Sequence, residues 1–386
     1  MNPFITNLDN LTCRRIVEEN HPDSILQLLE ERPRGDICRF VATVSPTQVN
    51  IYDNEDKNTR IGFFAHYVVE KTPHFKGGNC TYGCWLYPQS SRPRDSILAV
   101  GTSEGEVFLL SCIECRIIGV FSTPSASPMV KLTVSFSHPD LLIAVDANGA
   151  VFVWDVPARA LRFESKDLGV RDVFCEAETA LLQLRNRLLM TMHLPDFAIS
   201  PFPSPVSGLT SQHLCAVVSV PEQNAWVFLF AQTFMVVDQR TGEVQEHALE
   251  APLVEYVDGA CVNLTRDHKE ILVSEHSKTR IFSLEGREIA QLVDNYAMGT
   301  QNNKDQASYH KMPITSCVIH PEAKYAVMIE NNRVLRFDAI DPVGHYVSHV
   351  VFPHPVEDMY LFYSSLNSEP LMYLHPKIQT GGKKGM

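Results

Sequence analysis

Seven times along the chain an apolar run meets a short turn and then a second apolar run, which often closes on an aromatic residue and an aspartate. The clearest copy is LLIAVDANGAVFVWD, from Leu141 to Asp155. Its Asn148-Gly149 pair is a strong hairpin signal, because both residue types accept a positive φ. The other copies run Phe40 to Asp53, Ile97 to Ser111, Thr179 to Met192, Trp226 to Asp238, Glu270 to Ser283 and Tyr325 to Asp338. Their ends fall at 53, 111, 155, 192, 238, 283 and 338, so successive copies lie 37 to 58 residues apart. A repeat of about 40–45 residues with four short strands is the signature of a propeller blade.

Most hairpins have an apolar run before them: NCTYGCWLY, VKLTVSFS, VRDVFCEA, HLCAVVSV, GACVNLTRD and ITSCVIHP. Several have one after them: RIGFFAHY, CRIIGVFS and REIAQLVD. That supplies four strands per unit. The runs are apolar on both faces, as strands stacked between neighbouring sheets must be. A length of 386 residues would otherwise suggest two or three domains. The repeat predicts one all-β domain instead, a seven-bladed propeller over residues 1–345. A strand near Thr12 to Glu18 closes the ring within the last blade and hides a sheet edge that would otherwise be sticky. Residues 346–386 are expected as a C-terminal extension, disordered over its last residues, TGGKKGM. Pro22 to Arg32 reads as a short helix or as a strand. Pro195 to Gln212 reads as a long loop, too rich in Pro and Ser for a strand.

Composition narrows the function. The chain carries 45 acidic against 33 basic residues, a net charge of −12. Duplex binding draws its affinity from Lys and Arg on phosphates, so direct nucleic-acid binding is not expected, and a basic peptide is the easier partner. MNPFITNLDN has neither a basic n-region nor an apolar h-region, so no signal peptide is expected. No apolar window of about 18 residues suggests a membrane span. The ten cysteines then read as reduced thiols in the nucleus or, alternatively, the cytoplasm.

Chemistry-bearing motifs are few. Gly101 to Gly105 matches the G-x-S-x-G elbow, but that motif needs a helix after it, and EVFLLS reads as a strand. Ser103 is therefore expected in a hairpin turn rather than as a nucleophile. Cys80, Cys84, Cys112 and Cys115 raise the question of a Cys₄ zinc site. The three-residue gap between Cys80 and Cys84 inside a strand-like run argues for buried thiols instead. His138, His268 and His320 sit in turns after first strands. Asn79 and Asn263 begin glycosylation sequons that a non-secreted chain would not use. No P-loop or G-x-G-x-x-G occurs. The expectation is a non-enzyme with no cofactor and no metal.

Trp154-Asp155 is the clearest Trp-Asp pair of a WD-repeat chain. Read in order, the segments resemble the embryonic ectoderm development / extra sex combs family, the WD-repeat subunit of the Polycomb histone methyltransferase complex. CRRIVEENH (from Cys13) is similar to that family's entry strand, and FVATVSPTQVNIYD to its first hairpin. YGCWLYPQSSRPRDSILAVGTSEG (from Tyr82) resembles its second blade and HPDLLIAVDANGAVFVWDV its third. MHLPDF (from Met192) sits where that family has a similar His-aromatic-Pro-Asp-Phe segment, with Leu194 in place of the aromatic, and YHKMPITSCVIHPEAKYAVMIENNRVLRFD resembles the last blade. The resemblance spans roughly residues 10 to 340 and is colinear.

It implies a non-catalytic scaffold within a multiprotein complex. The partners would be a SET-domain methyltransferase, gripped through a helix, and a histone tail. That family reads trimethyl-lysine with four aromatic walls by cation–π attraction. Tyr82 matches one wall. The other positions fall at Ile25 or Leu26 and near Ala260 and Cys261, so three walls are missing and peptide binding would rest on Tyr82. Tyr87, Trp85 and Tyr256 are the nearest replacements. The scaffold role therefore stands ahead of the reader role. The alternative is a scaffold of RNA-processing or transport machinery.

Overall fold

The computed structural model describes residues 11–17, 23, 26–31, 39–53, 60–73, 75–88, 95–135, 137–176, 178–186, 188–202, 214–220, 225–230, 233–238, 241–249, 261–264, 270–274, 278–285, 287–293, 314–319, 326–330, 333–334, 347–351, 360–364 and 371–376. All elements among them are β-strands, arranged in eight sheets.

Sheet 1 is built from Gln27–Glu30, Phe40–Val44, Gln48–Asp53 and Ala65–Val68. Sheet 2 takes Cys80–Leu86, Ile97–Thr102, Glu106–Ser111 and Arg116–Ser122. Sheet 3 takes Met129–Val134, Leu141–Asp146, Val151–Asp155 and Ala160–Ser165. Sheet 4 is formed by Val170–Glu176, Thr179–Leu184, Leu189–His193 and Ile199–Pro201, and sheet 5 by Leu214–Val220, Ala225–Phe230, Thr233–Asp238 and Val244–Ala248. Sheet 6 comprises Cys261–Leu264, Glu270–Ser274, Lys278–Ser283 and Glu288–Val293; sheet 7 comprises Ile314–Ile319, Ala326–Glu330 and Arg333–Val334. Sheet 8 joins Val347–Val351, Tyr360–Ser364 and Leu371–Pro376 to Leu11–Val17 and Arg60–Ile61.

Each of the seven expected hairpins is an antiparallel pair, one in each of sheets 1 to 7. The first strand of each sheet touches the first strand of the next, from Gln27–Glu30 through to Val347–Val351. This succession of inner strands is propeller geometry. It explains why the middle strands are apolar on both faces. Successive side chains point to opposite sides of a strand. Leu98 and Val100 pack with Phe40, Ile51 and Phe108 of sheets 1 and 2. Ile97 and Ala99 pack with Leu142, Phe152 and Trp154 of sheets 2 and 3. On sheet 3, Ile143 and Val145 turn toward Val173 and Leu182 of sheet 4.

The structure differs from the expectations at five places. Eight sheets stand among the described residues where seven blades are expected, because residues 346–386 do not all lie outside the sheets: the strands Val347–Val351, Tyr360–Ser364 and Leu371–Pro376 belong to sheet 8. Runs such as VVFPHP and SSLNSEP interrupt the apolar pattern there, so no hairpin signature marks them. The N-terminal strand Leu11–Val17 pairs antiparallel with Leu371–Pro376, beside sheet 7 rather than in it. The terminal TGGKKGM lies outside the described residues. RIGFFAHY is not one strand. Arg60–Ile61 crosses to sheet 8 and pairs in parallel with Ile16–Val17, and only Ala65–Val68 returns to sheet 1.

Within Pro195 to Gln212, Ile199–Pro201 is an edge strand paired with Met190–Met192. An edge strand tolerates a proline because one side needs no donor; residues 203–212 lie outside the described residues. Finally, at Asn148-Gly149 only the glycine has a positive φ, +87°. Asp146 replaces the expected pair of left-handed residues: its Oδ1 accepts from the Asn148 and Ala150 amides, both at 2.9 Å. Within Pro22 to Arg32, the described residues include the strand Gln27–Glu30.

Candidate functional site

Tyr82 lies on the first strand of sheet 2, half-buried and packed against the core between sheets 2 and 3. The ammonium of Lys131, on the first strand of sheet 3, sits 5.6 Å from the Tyr82 ring centre and 5.5 Å from that of Phe174 on sheet 4. Asp172 completes the arrangement, its Oδ1 3.0 Å from the Lys131 Nζ. Two ring faces and one carboxylate thus surround a cation, and the cation belongs to the chain itself. Burial disfavours the charge on Lys131, but the Tyr82 hydroxyl and Asp172 outweigh it and hold the ammonium above its usual range. An ion pair a quarter to a third exposed contributes about 0–1 kcal/mol. Each ring face contributes about 0.5–1 kcal/mol.

Strand alternation delivers this set. Lys131, Asp172 and Phe174 each lie on an inner strand, and Asp172 and Phe174 share one face two residues apart. Phe174 and Lys131 carry no motif in the sequence, because their meeting depends on the stacking of sheets 3 and 4. The proposed replacement walls are placed elsewhere. Trp85 is buried between sheets 1 and 2 and donates its indole N–H to the Leu29 carbonyl at 3.2 Å. Tyr87 packs against that same core. Leu26 is exposed. Ile25, Ala260 and Tyr256, and the side chain of Cys261, lie outside the described residues.

Ser103 occupies the turn between the second and third strands of sheet 2, as expected, and its Oγ accepts from the Asn79 amide at 3.0 Å. Among the described residues no three His, Cys, Asp or Glu side chains are grouped to hold a metal ion. Burial pushes the Cys80 thiol up to about 12, and the Cys84 thiol likewise to about 12, Lys131 drawing the latter back slightly. Cys112 is pushed up by burial and by Glu31 and Asp95. Such thiols stay protonated at neutral pH and are poor nucleophiles and ligands. His138 pairs with Glu178 at 3.0 Å, while His268 and His320 lie outside the described residues. No helix among the described residues is long and apolar enough to cross a membrane.

A second concave feature, about 280 Å³, opens between sheets 3 and 4. It is bounded by the turn Ser137–Leu141, by Arg162, and by the 194–197 turn of sheet 4.

Inner strands in series, stacked antiparallel sheets and hairpins on a repeat define a β-propeller fold. Solved structures bear this out. The C-terminal WD40 domain of Sif2 is similar with a TM-score of 0.62 at 10% identity, covering 95% of this chain and 98% of that one. The β-propeller domain of Cps50 (Swd1) from Myceliophteria thermophila gives 0.50 at 12% identity, over 79% and 97%. The computationally designed Ika8 protein gives 0.58 at 11% identity, over 94% and 99%. No family model and no curated protein matches the sequence.

Proposed function

We propose that the chain is a non-catalytic scaffold that holds protein subunits of a multiprotein complex together. The observation that carries this reading is the fold: a WD40-type propeller spanning nearly the whole chain. Its hairpins, turns and rim offer several separate faces to partners. Its buried cysteines are protonated, and Ser103 is engaged by a backbone amide.

The finer proposal is a Polycomb-type subunit that works in the nucleus, binds a helix of a SET-domain methyltransferase and meets the histone tail. It rests on the colinear resemblance of the second and third blades and of MHLPDF. Lys131 bears on the histone tail in particular. It occupies the space between Tyr82 and Phe174 where an external cation would sit. The ring is proposed to close through the strand Leu11–Val17, with the whole chain as one domain.

Affinity purification of the tagged chain from its native cells tests both levels. A SET-domain methyltransferase among the stoichiometric co-purifying proteins is the expected result. Subunits of RNA-processing or transport machinery in its place would keep the scaffold and overturn the Polycomb reading. Purification of the chain alone would overturn the scaffold.

A further inference from the structure

Six Ser-Pro or Thr-Pro pairs lie along the chain, beginning at Ser45, Thr72, Thr123, Ser127, Ser200 and Ser204. A kinase that selects proline after its acceptor needs an extended segment, and proline presses the residue before it into the β region. The acceptor hydroxyl must also reach solvent. The fold sorts the pairs by these two needs. Ser45 is buried, and its hydroxyl donates to the Gln48 carbonyl at 3.2 Å. Thr123 is buried and donates to the Gly105 carbonyl at 2.9 Å; Ser127 is buried too. Thr72 is exposed, but its amide and its carbonyl both bond back to Phe75, so the chain reverses across Pro73. Ser204 lies outside the described residues.

Ser200 meets both needs. It is exposed at the centre of the strand Ile199–Pro201, the outermost of sheet 4, which pairs on one side with Met190–Met192. An extended segment at an open sheet edge can be laid against an enzyme through its backbone. The Ser200 hydroxyl lies 2.9 Å from Thr191 Oγ1, at the surface. Both flanks hold the strand extended. Before it, the His193 amide donates to the Ala198 carbonyl at 2.9 Å, and the Ala198 amide to Asp196 Oδ1 at 3.0 Å. After it, the Phe202 amide donates to the Leu189 carbonyl at 3.0 Å. The acceptor and its proline are thus displayed in the conformation such a kinase takes, without unfolding.

We propose that Ser200 is a phosphorylation site for a proline-directed Ser/Thr kinase, with ATP as the phosphoryl donor. Ser200 Oγ attacks the γ-phosphorus of ATP. The Oγ–P bond forms as the bond to the β,γ-bridging oxygen breaks, ADP leaves, and the hydroxyl proton passes to the catalytic base of the kinase. The phosphoserine carries about −1.5 to −2 charges at pH 7. The outer strand of sheet 4 then presents a compact anion that an arginine fork of a partner can grip. The proposal goes beyond the scaffold reading and holds whichever subunits the scaffold binds.

Two measurements test it. The folded full chain is treated with a recombinant proline-directed kinase and Mg-ATP, and phosphate is located by tandem mass spectrometry. Ser200→Ala, Pro201→Ala and Ser204→Ala proteins run beside it, with thermal melts that match the parent showing that each is folded. The expected result is close to one phosphate per chain at Ser200. It is lost in Ser200→Ala, slowed at least tenfold in Pro201→Ala and kept in Ser204→Ala. Phosphate on Ser45 and Thr123 should appear only after denaturation. The second measurement maps phosphopeptides of the chain isolated from its native cells, where phosphate at Ser200 is expected. The proposal is overturned if Ser200 takes phosphate only in the denatured chain, if Pro201→Ala is modified at the parent rate, or if the native chain carries none at Ser200.

Discussion

At the scale of single residues, a tight constraint lies at Gly149. Its φ is +87°, and a Cβ there would lie 2.7 Å from the Gly169 carbonyl carbon and from the Val170 nitrogen. Gly242 has a similar φ of +71° but open space around it. Placing alanine in a left-handed conformation costs about 1–2 kcal/mol. We expect Gly242→Ala to lose about that much in urea unfolding, and Gly149→Ala to lose at least about 1 kcal/mol more, because sheets 3 and 4 must part. Equal losses would mean that backbone conformation alone explains both. Thiols give a second residue-scale expectation. Cys80 and Cys112 are buried, with raised pKa values, whereas Cys115 is exposed. A raised thiol pKa means a protonated, unreactive group at pH 8. A thiol reagent at pH 8 should label Cys115 first and reach Cys80 and Cys112 only on unfolding. Rapid labelling of Cys80 in the folded protein would contradict this packing.

At the scale of strands and sheets, local turn chemistry made the hairpins legible. A short turn between two apolar runs, such as Asn-Gly or Ser-Glu-Gly, is encoded within about 15 residues, and all seven hairpins are present. The sheet that escaped sequence reading depends on distance instead. Sheet 8 needs Leu11–Val17 to meet Leu371–Pro376, more than three hundred residues later, and no periodicity records that pairing. The same applies to Arg60–Ile61, which looks like part of a sheet 1 strand until it is seen against Ile16–Val17. The candidate site is split in the same manner: Tyr82 was visible through resemblance, whereas Lys131, Asp172 and Phe174 are brought to it by sheet stacking. Sheet 8 also yields an expectation. Deleting residues 1–17 uncovers the edge of Leu371–Pro376 and leaves Arg60–Ile61 without a partner. Open strand edges recruit other strands. The truncated protein should melt at lower temperature and elute partly as oligomers in size-exclusion chromatography. A monomer that melts like the parent would show that this strand is dispensable for the fold.

At the scale of the whole molecule, charge and the inner strands together set how a histone-like peptide would be received. A net charge of −12 attracts any basic peptide. Such attraction between exposed charges is screened over about 8 Å at physiological salt and does not depend on methylation. Reading trimethyl-lysine requires ring faces around a vacant, desolvated position. Here the two faces of Tyr82 and Phe174 already hold Lys131, which Asp172 anchors at 3.0 Å. An incoming trimethylammonium would have to displace that ion pair and leave Asp172 beside a cation that cannot donate a hydrogen bond. We therefore expect trimethylated and unmodified histone peptides to bind within about threefold of each other at about 0.15 M salt, and both to weaken as salt is raised. Replacing Lys131 supplies the control. Lys131→Ala frees the space between the two rings and leaves the Asp172 carboxylate facing it, so a preference for the trimethylated peptide should emerge in that variant. A preference of tenfold or more in the parent protein, about 1.4 kcal/mol, would place a working cage somewhere other than around Tyr82. No preference in Lys131→Ala would show that two rings and a carboxylate are too few walls even when the position between them is vacated.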